Sequence, residues 1–368
     1  MTSIIKKFKD ATFNKENSSN FQIESKAIYA NDSNLNNTTN LCFNQEIKLI
    51  PAQNNINFYI PYYLTRQFIL NSFRDQGKTL LLQRIIRVAN FEMIDYIIKE
   101  LKGCYKDIIR DKNGNYFFSD LIRVCEINHR ILILEELSPL ISELCLNNFA
   151  TFSIQTLIER ASCEIEYKYI LNSFYDYNKF LTASLDSNGS YTVQKIIERI
   201  PNRYRSDFNY IFISFIEFTS KTKFGIITVK KFISYTNDEN TISQIMNFIR
   251  NNFMNFATGQ YSNYLIQFLF EKLKNTPEGN EIKKLIFENF HEMSKKKYSS
   301  FICETFIRNI SKEEKKKIID TLDWNYILQT NNRHLVKIVK ALGVYYNENN
   351  NIMFPLNLNK NLVKYNSI

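Results

Sequence analysis

With 368 residues, 44% of them hydrophobic, and only 8 Gly and 6 Pro, the chain can bury extensively but is too poor in turn formers for an all-β fold or Gly-rich phosphate loops. Its formal net charge of +10 and pI near 9.1 favour an anionic partner, nucleic acid or membrane surface, without choosing between them. Six scattered cysteines (Cys42, Cys104, Cys125, Cys145, Cys163, Cys303) without a CxxC pair, and three distant histidines, argue against zinc or a disulfide framework and for buried free thiols in a reducing compartment.

Residues 1–55 carry the tracts ENSSN and NDSNLNNTTN and little apolar periodicity. This predicts a disordered leader, too polar to offset its ordering entropy by burial. Its start, MTSIIKKFKDATF, lacks the continuous apolar core of a secretory signal, and no apolar run approaches the roughly 20 residues of a transmembrane helix. Apolar periodicity begins around Phe58–Ile69, and residues 56–74 are expected to cap a repeat array.

From there one phrase recurs: KTLLLQRII (78–86), GNYFFSDLI (114–122), ATFSIQTLI (150–158), GSYTVQKII (189–197), GIITVKKFI (225–233), SNYLIQFLF (262–270) and SSFICETFI (299–307). Its sixth residue falls at Gln83, Ser119, Gln155, Gln194, Lys230, Gln267 and Glu304, at steps of 36, 36, 39, 36, 37 and 37 residues. Such a period means stacked supersecondary units whose function lies along one continuous face. Leu265, Ile266, Leu269 and Phe270 follow the i, i+1, i+4, i+5 spacing of a buried helical stripe, which Phe117, Phe118, Leu121 and Ile122 repeat. Further apolar stretches, such as FEMIDYIIKEL (91–101), YKYILNSF (167–174) and TISQIMNFI (241–249), supply additional helices per unit. An eighth unit is expected at NRHLVKIVKAL (332–342). The reading is all-α: a solenoid over 56–345, without strands, and then an Asn-rich tail (346–368) in which MFPLNL is able to dock on the last repeat.

Outside the stripe each phrase keeps its second, third and sixth residues. These trios are Thr79/Leu80/Gln83, Asn115/Tyr116/Ser119, Thr151/Phe152/Gln155, Ser190/Tyr191/Gln194, Ile226/Ile227/Lys230, Asn263/Tyr264/Gln267 and Ser300/Phe301/Glu304. Five of the seven set an aromatic between two polar side chains. Taken singly, such a trio is a solvated face beside one packed ring. Repeated at constant pitch, it suits unpaired bases, with rings as stacking platforms and polar pairs for base edges.

GNYFFSDLI, GSYTVQKII, SNYLIQFLF and SSFICETFI resemble the core helices of Pumilio-type (PUF) RNA-binding repeats, and the resemblance covers roughly residues 60–342. It implies about eight repeats in a right-handed crescent, with single-stranded RNA antiparallel on the concave face and one base per repeat. Second and sixth residues would contact the base edge (Thr79, Gln83, Asn115, Ser119, Thr151, Gln155, Ser190, Gln194, Asn263, Gln267, Ser300, Glu304). Third residues would stack (Tyr116, Phe152, Tyr191, Tyr264, Phe301). The chemistry agrees in part: an ionised Glu304 is acceptor-only, matching guanine's two adjacent donors, and Asn263 with Gln267 suits uracil's mixed edge. Ser190/Gln194 and Thr151/Gln155 resemble adenine readers. The implied core is 5′-xGUxAA-3′, compatible with UGU-type elements in mRNA 3′ untranslated regions. Lys230 and the eighth trio, Arg333/His334/Lys337, depart from the family pattern, and phosphate contacts are expected from Lys230, Arg333 and Lys337.

Neither the scattered histidines nor any carboxylate pair suggests acid–base catalysis, so no enzyme activity, metal or cofactor is expected. The resemblance implies a monomeric cytoplasmic regulator of translation or decay that recruits deadenylation or translation-repression proteins. Two alternatives stay open: a nucleolar ribosomal-RNA-processing relative with weak readout, and a protein-binding solenoid scaffold.

Overall fold

In the computed structural model every phrase is a helix. Seven phrase helices, numbered one to seven here, span Gln76–Arg87, Gly114–Val124, Ala150–Arg160, Gly189–Arg199, Lys223–Tyr235, Asn263–Lys272 and Ser299–Asn309. An eighth, Arg333–Ala341, follows, and each of the eight packs against the next in chain order. The structure describes residues 64–346 except 237 and 331, together with 352–353. The expected leader, Cys42, residues 56–63 and all of the tail but Tyr346, Ile352 and Met353 lie outside the described residues.

The predicted stripe is what joins the layer. Phe117, Phe118, Leu121 and Ile122 are fully buried, as are Leu265 and Ile266, each worth about 1.5–3 kcal/mol against exposure. The first phrase departs from it: Leu81, at the first stripe position, is exposed. Behind the phrase helices runs a second layer that includes Phe91–Leu101, Ile127–Leu137, Glu164–Asn172, Glu239–Asn251 and Pro277–Glu288. Short helices such as Tyr105–Arg110, Tyr177–Leu185 and Phe290–Ser294 then lead back to the next phrase, giving three helices per unit.

Two local devices recur at the starts of the phrase helices. In the second, third and fourth a side chain three residues ahead caps the helix: Asp111 Oδ1 accepts from the Gly114 amide at 2.7 Å, Asn147 Oδ1 from Ala150 at 3.0 Å and Asp186 Oδ1 from Gly189 at 2.9 Å. From the second phrase to the seventh the first residue is small, where it abuts the carbonyl six residues back. A Cβ on Gly189 would lie 2.6 Å from the Ala183 oxygen, and Ser262 and Ser299 instead donate to the corresponding carbonyls of Phe256 and Met293 at 2.8 and 2.7 Å.

The back layer holds one buried ion pair. Arg130 Nε meets Glu166 Oε1 at 2.7 Å while Arg130 Nη1 donates to the Cys125 carbonyl at 2.8 Å. Glu166 also accepts from the Ser162 and Cys163 amides, at 2.8 and 3.2 Å. The α-solenoid reading therefore holds. Its one strand pairing among the described residues is a two-residue antiparallel ladder, Tyr345–Tyr346 with Ile352–Met353, which the helical pattern did not announce. The thiols need a correction: Cys125, Cys145 and Cys303 are buried and free, but Cys104 and Cys163 are only half-buried because they lie at helix starts. Burial pushes the Cys125 and Cys145 thiols up to about 12.

Candidate functional site

Each of the seven phrase helices presents the apolar side chain of its third position to solvent; Leu81 and Tyr235 are exposed in addition. Leu80, Tyr116, Phe152, Tyr191, Ile227, Tyr264 and Phe301 are 43–62% exposed, whereas stripe residues beside them are buried. Stacked helices carry these seven side chains in order along one face. Five of the seven are aromatic rings, repeated at regular spacing on successive helices.

The second positions correct the sequence reading, which left them outside the buried stripe. Thr79, Asn115, Thr151, Ser190, Ile226, Asn263 and Ser300 are only 1–5% exposed. The reason is local: in the first helical turn these side chains fold back onto carbonyls of the preceding link. Asn115 Nδ2 donates to Asp111 O and Lys112 O, both at 2.9 Å, and Asn263 Nδ2 to Gly259 O and Gln260 O, also at 2.9 Å. Thr79 donates to Ser72 O at 3.1 Å and Ser300 to Lys297 O at 2.8 Å. Ser190 lies 3.4 Å from Ser187 O, and Thr151 3.4 Å from Asn188 O of the next unit. Their donors are engaged, so what they offer a ligand is acceptor lone pairs.

Sixth residues form the rim and lean on neighbours. Gln267 Nε2 donates to Asn263 Oδ1 at 2.9 Å while its Oε1 accepts from Thr305 of the next repeat at 3.2 Å. Gln155 Nε2 donates to Thr151 Oγ1 at 3.0 Å, Gln194 Nε2 to Thr228 Oγ1 at 3.3 Å and Gln83 Nε2 to Asp120 Oδ2 at 2.7 Å. These bonds hold the amides in one orientation before any ligand arrives, which lowers the entropic cost of binding. Glu304 is half-buried, 3.6 Å from Arg308. In the fifth repeat Ile226 replaces the buried polar residue and Lys230 lies 5.2 Å from the Phe268 ring, so that repeat has no polar pair.

The eighth trio also needs correction. Arg333 is exposed and His334 half-buried, the reverse of second and third positions elsewhere. Asn332 caps this helix, its Oδ1 accepting from the His334 amide at 3.0 Å, and Arg333 is its first residue. Partial burial, then Arg333, Lys337 and Lys297, pull the His334 pKa below its usual value, and Arg333, Lys337 and Lys297 surround this imidazole with positive charge.

A rung of charge beside the trios was missed in the sequence. Arg87 meets Asp120 at 2.6 Å, Lys195 meets Glu159 at 3.7 Å and Lys231 meets Glu198 at 2.7 Å, each joining a tenth position to the seventh of the next phrase. Lys231 holds the Glu198 carboxyl below the usual range. Opposite charges at those two offsets were the available signal. Among the described residues no group of three or more His, Cys, Asp or Glu could hold a metal, and no helix is long and apolar enough to cross a membrane.

Comparison with known proteins agrees with this geometry. The model of the Pumilio-family RNA binding repeat matches residues 80–102, 179–206, 252–276 and 289–322. The chain is 24% identical to Pumilio homolog 11 of Arabidopsis thaliana over 269 residues, covering 70% of this chain and 46% of that protein. It is 25% identical to Suppressor protein MPT5 of Saccharomyces cerevisiae over 240 residues, 59% of this chain and 26% of that protein. The chain thus spans about half or less of the length of these relatives. Among solved structures, the RNA-binding domain of yeast Puf5p bound to MFA2 RNA superposes with a TM-score of 0.65 at 19% identity, covering 74% of this chain and 81% of that one. The Puf4 RNA binding domain bound to the HO endonuclease RNA 3′ UTR recognition sequence gives 0.66 at 19% identity, covering 74% and 90%.

Proposed function

This chain carries Pumilio-family RNA-binding repeats, and from that premise we propose that it is a sequence-specific single-stranded RNA-binding protein that recognises UGU-type elements in mRNA 3′ untranslated regions. The observation that supports this best is the file of exposed third-position side chains, each except Ile227 beside a buried polar residue. Bases inserted between successive platforms would stack, and their edges would meet the second and sixth residues. RNA would run antiparallel, its first base on the eighth repeat.

The hydrogen bonds refine the base assignments. With the Ser300 proton on Lys297 O, Ser300 Oγ and Glu304 present only acceptors, the complement of guanine N1–H and N2–H₂. Asn263 Oδ1 is an acceptor by the same logic, and Gln267 Nε2 retains a second proton, so the pair meets uracil N3–H and a carbonyl oxygen. Ser190/Gln194 and Thr151/Gln155 leave room for adenines, giving 5′-xGUxAA-3′. Lys230, Arg333 and Lys337 would contact phosphates. The solved relatives bound to 3′ UTR recognition sequences support the same target class. Regulation of translation or decay, in the cytoplasm, through recruited repressors, completes the proposal.

The test exchanges the readers of two repeats. Ser300→Asn with Glu304→Gln gives the seventh repeat the pair of the sixth, and preference at the second base should move from G to U by about tenfold or more, the discrimination of a lost charge-assisted pair. Equal loss for all four bases would refute base readout. The non-polar fifth trio and the altered eighth favour, as a second reading, a weakly selective ribosomal-RNA factor, for which a scrambled RNA would bind as well as the GU-containing one.

A further inference from the structure

The second repeat is the one place where a buried asparagine meets no sixth-position amide. In the sixth repeat Asn263 Oδ1 accepts from Gln267 Nε2. Ser119 stands at the equivalent place in the second repeat, and its short side chain cannot reach back one turn. Asn115 Nδ2 has both protons on the carbonyls of Asp111 and Lys112, which fixes the amide's orientation, because the reverse flip would set oxygen against two oxygens. Among the described residues nothing donates to Asn115 Oδ1.

The missing side chain leaves space. A cavity of about 380 Å³ opens between Tyr116 and Phe152, lined by Asn115, Ser119 and Gln155. Tyr116 and Phe152 are the two most exposed third-position rings, at 62% each. Asp120 does not make the cavity anionic, since Gln83, Arg87 and Arg123 all donate to its carboxylate at 2.6–2.8 Å. Around the fixed acceptor, the hydroxyl and the two aromatic rings the lining also includes Gln155, Thr156 and the Lys195–Glu159 pair. The Ser119 hydroxyl is only loosely held, 3.4 Å from Ser153 Oγ, whose own proton goes to Asn115 O at 3.1 Å. Its proton is therefore free to turn to a base acceptor at little cost.

We propose that the second repeat is a purine seat, an inference that rests on the base-readout reading above and names the base class at the seventh position of the RNA. Asn115 Oδ1 and Ser119 Oγ–H form an acceptor beside a donor, and each Watson–Crick edge offers some neighbouring donor and acceptor. Edge pattern alone therefore does not select. Reach does: a one-ring pyrimidine that meets Asn115 Oδ1, as uracil would meet Asn263 Oδ1 in the sixth repeat, stops short of the serine, whereas the longer two-ring base spans the space and meets both groups. A purine also covers more of the two rings, and stacking carries about 1–3 kcal/mol per base.

The experiment measures affinities of the full chain for 5′-UGUUAANU-3′ with A, G, C or U at the seventh position. A and G are expected to bind about tenfold more tightly than C and U, the lower half of a base-stacking contribution expressed as affinity. In Ser119→Gln the new amide would fill the cavity and donate to Asn115 Oδ1, as Gln267 does to Asn263 Oδ1, so preference at the seventh base should turn to U. Equal affinities for the four RNAs, or tighter pyrimidines, with G still preferred at the second base, would overturn the purine seat alone. Loss of preference at both bases would overturn the readout reading and this inference with it. The wild-type comparison decides the matter even if Ser119→Gln fails to fold.

Discussion

Adjacent residues of the sixth phrase should separate ligand binding from folding. Tyr264 is half-exposed and among the described residues no hydrogen bond holds its side chain, so Tyr264→Ala removes little from the folded state and its stability should stay within about 0.5 kcal/mol of wild type. If a base stacks on that ring, the same change removes about 1–3 kcal/mol of binding, a roughly five- to 150-fold weaker Kd. Asn263, one residue earlier, is 1% exposed and closes two carbonyls at 2.9 Å each. Asn263→Ala removes the side-chain bond to both carbonyls, leaving Gly259 O only the backbone amide of residue 263, and takes the partner from the Gln267 amide, a cost of about 1–3 kcal/mol to the fold in addition to any effect on RNA. Thermal melts and fluorescence-anisotropy titrations against a UGU-containing 8-mer would be run on both variants. A Tyr264→Ala chain that melts as early as Asn263→Ala, or that binds RNA as tightly as wild type, would refute the assignment of third positions to ligand and second positions to structure.

Two further outcomes follow from charges. Glu166→Gln leaves the Arg130 guanidinium buried without its counterion and should cost about 3–5 kcal/mol in chemical denaturation at neutral pH. Burial alone would raise the Glu166 pKa, but the bonds from Arg130 and the Ser162 amide leave it below its usual value of 4.5. The folded state thus holds fewer protons, and the stabilisation is complete above pH 4.5 and fades as pH falls through the lowered folded pKa. The gap between wild type and variant should narrow in that acid window; a gap constant with pH would contradict the pairing. Lys230→Ala should lower the slope of log K against log salt by about 0.7 if its ammonium meets one phosphate of a single strand. An unchanged slope would assign Lys230 to its packing on Phe268 alone.

What the sequence could disclose depended on whether the deciding partner lay within the phrase. The stripe and the exposed third position depend on helical spacing alone, and both were legible: Leu265, Ile266, Leu269 and Phe270 are buried and Tyr264 is not. Second positions looked equally free because what buries them lies outside the helix, in the carbonyls of the link before it, at Gly259 and Gln260 for Asn263. The same holds for the small first residue, whose limit is a carbonyl six positions back, and for the Arg87–Asp120 rung, whose partners belong to different repeats. The eighth unit follows the period, with a helix at Arg333–Ala341, but there the residue at the second offset is exposed and the one at the third half-buried. A periodic sequence thus specifies the face of each helix, while the neighbouring unit decides which members of that face remain available. By that logic the Ser119 seat is defined by an absence, an amide that other repeats supply and this one omits, visible only once Asn115 is seen with its protons engaged and its oxygen open.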